Sequence, residues 1–167
     1  MPNKCVNALL ISMFLIGCAT PASGPLYSEF KSAQIIKPEQ SNVTIFRQNF
    51  DYTAKARSAR IKVDGNKSGG VDIDGFVSFA IPPGQHTLSS DLPDHPGSCD
   101  LPIDLKAGNE YFYEVSIRGD AIGPALVFGL LGSAVETAGK QCGGLFAIKE
   151  VDKSYAARIL QTSRLTK

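Results

Sequence analysis

The chain reads as an all-β fold: an antiparallel β-sandwich of about seven short strands, with a C-terminal helix and a glycine-rich apolar helix or loop. Two observations predict it. From residue 42 onward, short runs alternate apolar and polar side chains with period two, the signature of strands with one buried and one wet face. Turn residues (Gly, Pro, Asp, Asn) punctuate these runs roughly every ten residues, too closely for the crossover helices of βαβ units.

The elements follow in order. NVTIFR (42–47) is β-branched and aromatic. SARIKV (58–63) alternates, with Ala59, Ile61 and Val63 on one face. Asp64-Gly65 and Gly69-Gly70 signal turns, and the stretch Asp64–Gly75 reads as a long hairpin loop. FVSFAI (76–81) puts Val77, Phe79 and Ile81 together before Pro82-Pro83-Gly84 breaks the run. QHTLSS (85–90) resumes it, and CDLPIDLK (99–106) turns Leu101, Ile103 and Leu105 inward. EYFYEVSIR (110–118) has the clearest alternation: Tyr111, Tyr113, Val115 and Ile117 against Phe112, Glu114, Ser116 and Arg118. GLFAIKEV (144–151) is a last strand. In the tail 152–167, Tyr155, Ala156, Ile159 and Leu160 share a helical face. Asp152 or Ser154 can cap that helix, and Arg158, Arg164 and Lys167 suit the negative end of its dipole.

The N-terminus reads differently. Lys4 precedes an uncharged apolar run, VNALLISMFLI (6–16), that falls short of the roughly 20 residues a spanning helix needs. A short apolar run ending at small residues is the pattern of a secretory signal. Leu15-Ile16-Gly17-Cys18 resembles a bacterial lipobox, in which the cysteine is diacylated on sulfur, the chain is cut before it, and the new amine is acylated. One acyl chain binds membranes only reversibly, at about 10⁴ M⁻¹, whereas two or more anchor stably. The implied organisation is a signal peptide at 1–17, lipidated Cys18 with a linker to residue 41, and the β-sandwich domain over 42–167. The linker opens with small and turn residues, and as a coil it would reach about 25 Å. Ala19 after the cysteine, in place of an aspartate that retains lipoproteins at the inner membrane, implies a periplasm-facing place at a bacterial outer membrane.

Without residues 1–17 the chain keeps 150 residues with 16 basic and 16 acidic side chains. That balance offers neither the basic patch of a nucleic-acid binder nor a polybasic lipid tether. Of the four cysteines, Cys5 leaves with the signal and Cys18 takes lipid. Cys99 and Cys142 remain, in a compartment where disulfides persist. A bridge between them closes a loop of about 44 residues, worth roughly 4 kcal/mol by chain entropy. Two free thiols or a metal pair are the alternatives; a CxxC motif is missing and the chain has two histidines.

The segment 119–139, GDAIGPALVFGLLGSAVETAG, has an uncharged core at 121–135. As a helix this core spans about 22 Å, short of the roughly 30 Å hydrocarbon layer. It is either tucked against the sheets or an exposed patch, and Leu126, Val127, Phe128, Leu130 and Leu131 form the candidate interaction segment.

Residues 60–88, RIKVDGNKSGGVDIDGFVSFAIPPGQHTL, with the preceding VTIFR and the following YFYEVSI, resemble a bacterial lipoprotein family of unknown function. Its pattern is a strand ending in a DG turn, a second strand, then PPGxHT. PEGA-like and carboxypeptidase-regulatory-like β-sandwiches share it. The resemblance covers about residues 42–155 and implies a sandwich, an envelope location and no established activity.

Catalytic signatures are sparse. There is no GxSxG motif. His86 on a strand reads as a packed residue, and His95 beside Asp94 as a solvated loop pair. Asp72 and Asp74 in VDIDG resemble a fragment of a calcium loop but suit turn chemistry better. The expectation is a non-enzymatic structural or protein-interaction module, free of cofactors and metals, anchored to membrane and meeting an envelope protein or itself. The rival is a glycan or peptidoglycan binder that uses Tyr111 and Tyr113.

Overall fold

The computed structural model describes residues 21–35, 37–49, 57–120 and 142–167. The expected signal segment 1–17, Cys18 and the candidate interaction residues Leu126, Val127, Phe128, Leu130 and Leu131 lie outside the described residues. The chain is mostly β. Its elements are α1 (Tyr27–Ala33), β1 (Ser41–Arg47), β2 (Ala59–Val63), β3 (Asn66–Val71), β4 (Gly75–Ile81), β5 (Gly84–Asp91), β6 (Ser98–Leu105), β7 (Glu110–Ile117), β8 (Phe146–Glu150), α2 (Lys153–Leu160) and β9 (Arg164–Leu165). One sheet has the order β8-β7-β1-β4-β9, the other β3-β2-β5-β6. No helix among the described residues is long and apolar enough to cross a membrane.

The two sheets enclose one apolar core. Val43, Ile45, Val77, Tyr113 and Val115 of the first sheet meet Ile61, Val71, Leu88, Ile103 and Leu105 of the second. Each such side chain contributes about 1.5–3 kcal/mol when fully buried. Of these, Ile61, Val77, Ile103, Leu105, Tyr113 and Val115 are inward positions that the alternation assigns.

Four expectations need correction. The first sheet is mixed rather than antiparallel: β1 runs parallel to β7, and β4 parallel to β9. Strand β3 replaces part of the expected long loop. Asp64 and Gly65 carry φ of 50° and 78°, and they join Val63 to its partner Asn66 as a two-residue turn. Positive φ at both central residues matches the right-handed twist of the flanking strands. The glycines at 69 and 70 hid a strand that this turn imposes.

The helical tail is shorter than expected. After Leu160 the chain turns back and adds β9 beside β4, so Arg164 belongs to a strand rather than to a helix end. Asp152 precedes the helix, but its side chain makes no capping bond.

The last correction concerns the expected linker. Ala22, Gly24, Tyr27 and Phe30 pack on the domain, and α1 and α2 together cover the outer face of the first sheet. A second core forms there from Phe46, Phe76, Phe112, Ala156 and Leu160, with Tyr27, Phe30 and Tyr155 packed against it. The rings of Tyr27 and Phe30 meet Phe76 edge-on at 5.1 and 5.3 Å. Every residue of β1 is consequently buried, because both of its faces are covered. The face of β7 read as wet, carrying Phe112 and Glu114, is buried for the same reason.

Candidate functional site

The strand directions gather several features at one end of the molecule. Parallel β1 and β7 finish there at Arg47 and Ile117, and β4 begins there at Gly75, paired with Arg47. In the second sheet, Asp91 of β5 pairs with Arg60 and with Ser98 at that end. Bonds between the sheets fix the alignment. The Arg47 guanidinium donates to the Arg57 carbonyl at 2.6 Å, and the Ser90 hydroxyl donates to the Phe146 carbonyl at 3.3 Å.

Cys99 and Cys142 form a disulfide, tying β6 to the residues that lead into β8. The backbone N–H groups of Gly143 and Gly144 both donate to the Ser98 carbonyl, at 2.8 and 3.0 Å. Arg118 closes the other side. It is buried, donates to the Gly144 carbonyl at 3.1 Å, and pairs with Asp120 at 2.5 Å. Asp120 and Cys142 are thus both fastened to this end of the body, by one covalent bond and a set of hydrogen bonds.

The N-terminal strap arrives at the same end. The Ala22 N–H donates to the Ile73 carbonyl, and the Gly24 N–H to the Leu165 carbonyl at 2.9 Å. In return the Leu165 N–H donates to Pro25, and the Arg164 side chain donates to Gly24. Gly24 is required by contact: a Cβ there would lie 2.4 Å from the Leu165 carbonyl oxygen. Sequence reasoning missed this docking. Its faint signal was Tyr27 and Phe30, three apart on one helical face, with Glu29 accepting from the Leu26 N–H at 3.0 Å in half of a capping box. At the far end of α1, Lys31 and Lys153 both pair with Glu110 and so link the two helices to β7.

The buried Glu114 was also unforeseen. It accepts from the Gln48 amide at 2.5 Å and the Tyr155 hydroxyl at 3.2 Å, and pairs with Lys149 at 3.0 Å. This network pins α2 to β7 and holds Lys149 protonated well above its ordinary range. On the outer face of the second sheet, burial pushes the Asp91 carboxyl up, but bonds from Arg60 and Lys62 outweigh it and leave it below the ordinary value.

His86 stands at the opposite end with both ring nitrogens engaged. Nδ1 lies 2.7 Å from the Asp64 carboxylate and Nε2 lies 3.0 Å from the Pro82 carbonyl. The other Asp64 oxygen accepts the Thr87 N–H at 2.8 Å. Two acceptors favour the imidazolium, so the Asp64 bond raises the His86 pKa, and His86 in turn lowers that of Asp64. A ring held this way staples the β2–β3 turn to the β4–β5 turn.

The remaining sequence candidates do not converge. Asp94 pairs with Arg57 rather than with His95, whose Nδ1 donates to the Pro96 carbonyl. Asp72 and Asp74 serve a turn: the Asp72 carbonyl accepts the Gly75 N–H, and Asp74 has φ of 53°. Tyr113 is buried in the core, and the Tyr111 hydroxyl accepts the Lys106 N–H at 2.8 Å, so neither lies on an open aromatic face. Among the described residues, no three of His, Cys, Asp and Glu come together to hold a metal ion.

No family model matches the chain, and no curated protein matches it.

Proposed function

We propose that the chain is a periplasm-facing lipoprotein of the outer membrane. In this reading Cys18 is acylated after removal of residues 1–17, and a β-sandwich of the PEGA-like kind acts as a non-enzymatic structural or protein-interaction module. The sequence Leu15-Ile16-Gly17-Cys18 carries the reading. The packed strap supports it: Ala22 is already fastened to the body, which suits a chain held by its N-terminus. Leu126, Val127, Phe128, Leu130 and Leu131 are the proposed contact residues for an envelope protein or a second copy, in a segment whose two flanks, Asp120 and Cys142, are fastened to one end of the body.

Mass spectrometry of the native protein tests the anchor. An N-terminal peptide beginning at an acylated Cys18 is expected, and Cys18→Ala should release the protein from membranes. An unmodified cysteine, or a chain starting elsewhere, overturns the reading. Crosslinking in intact cells tests the module: adducts that recur with the native chain and vanish on deletion of residues 121–135 are expected.

A further inference from the structure

We infer that the molecule stands on the bilayer on the end that carries Arg47, Gly75, the β5–β6 loop and the α2–β9 turn, with the lipid headgroup surface as its partner there. The inference rests on acylation of Cys18. Only Ala19, Thr20 and Pro21 lie between that residue and Ala22, and these steps reach at most about 14 Å. Ala22 is 7% exposed, and its Cβ lies so close to Gly75 that an added Cβ there would be 2.9 Å away. Gly75 pairs with Arg47 at the end of β1, so the attachment point belongs to that end and to no other.

The strands run away from it. Along β1 a rise of about 3.3 Å per residue places the opposite end, with Asp64–Gly65, Pro82–Gly84 and Lys106–Asn109, roughly 20 Å farther out. A tether shorter than the body cannot present that end to lipid without unfastening the strap. Three ion pairs at the near end join opposite charges to each other: Arg57 with Asp94, Arg60 with Asp91, and Arg118 with Asp120. The tether, rather than attraction to anionic lipid, sets the orientation, so it should not depend on salt.

The test uses the full acylated protein in vesicles of phosphatidylethanolamine and phosphatidylglycerol that contain a headgroup-nitroxide lipid. A fluorophore is placed at Pro93→Cys for the near end and at Ala107→Cys for the far end, both exposed in the structure. Thr162→Cys serves as a second near-end site, and only variants that melt like the parent are compared. The near-end labels should be quenched at least threefold more than the far-end label, at 50 and at 500 mM salt alike. A glycine-serine insert of 20 residues after Pro21 should remove the difference. Equal quenching at both ends without the insert, or stronger quenching at Ala107→Cys, overturns the orientation. A difference that survives the insert overturns the tether as its cause. The intact mass of the N-terminal peptide is read from the same sample. A missing acyl group sinks the anchor and the orientation together, whereas an acylated protein with equal quenching sinks the orientation alone.

Discussion

Substituting Gly24 by alanine should loosen the strap without unfolding the body. The new Cβ would lie 2.4 Å from the Leu165 carbonyl oxygen and 2.8 Å from the Leu165 Cβ. The first obstacle is backbone already fixed in β9, so the strap must retreat. Overpacking of this kind costs about 1–3 kcal/mol. Retreat weakens the paired bonds from Gly24 to Leu165 and from Leu165 to Pro25, both 2.9 Å. It leaves untouched the core shared by the two sheets. A cost of about 2 kcal/mol corresponds to roughly a 30-fold change in a local equilibrium. Amide hydrogen exchange reads it directly: the Tyr27 and Leu165 amides should exchange about 30 times faster in Gly24→Ala. Amides of β2 and β5 should keep their rates relative to the global opening. Unchanged protection at Tyr27 would refute the claim that residues 22–33 are fastened through Gly24.

Other outcomes follow from the remaining contacts. Replacing Cys99 and Cys142 together by serine should lower stability by up to about 4 kcal/mol, since the bridge closes a long loop; urea melts that agree within 0.5 kcal/mol would contradict this. Glu114→Ala strips an acceptor from Gln48 and Tyr155 beneath α2 and should cost about 2–3 kcal/mol by the same melts. For His86 the sign is set by a folded-state pKa above the unfolded value of about 6.5. Its stabilisation is complete below that pH and is lost as pH rises through the folded value. The excess melting temperature of the native chain over His86→Gln should therefore be larger at pH 5.5 than at pH 9, and a pH-independent difference would refute the staple.

The inner faces of the strands were legible because period-two alternation reports one buried face whatever lies on the other. Ile61, Val77, Ile103 and Val115 sit where that rule puts them. The rule fails where both faces are covered. In β1, Thr44 and Phe46 face the helices while Val43 and Ile45 face the second sheet, so the strand has no solvent-exposed face at all. In β7 the rule misread Phe112 and Glu114 because the helices that cover them come from distant segments. The helical face of α2 was legible, but not the strand face it covers; α1 is seven residues long, and nothing in so short a stretch announces that Phe76 awaits it. Parallel pairing was illegible for a related reason. β1 and β7 are joined through the whole second sheet, and no turn between them records their direction.

The buried Glu114 shows how these omissions bear on function. Read as a wet residue, it would leave α2 free to shift and the body without a fixed outer layer. Held by Gln48, Lys149 and Tyr155, it joins β7, β8 and α2 with the residue just past β1. Glu110, four residues earlier on the same face of β7, does the same for α1 and α2 through Lys31 and Lys153. Two carboxylates on a single strand thus lock both covering helices, and α1 carries the strap that fixes the attachment point. The orientation inferred for the whole molecule therefore depends on charges that alternation alone assigns to solvent. A strand whose outward positions hold acids, followed by a lysine-bearing helix and preceded by another, is the pattern by which such a covered face can be sought in other sequences.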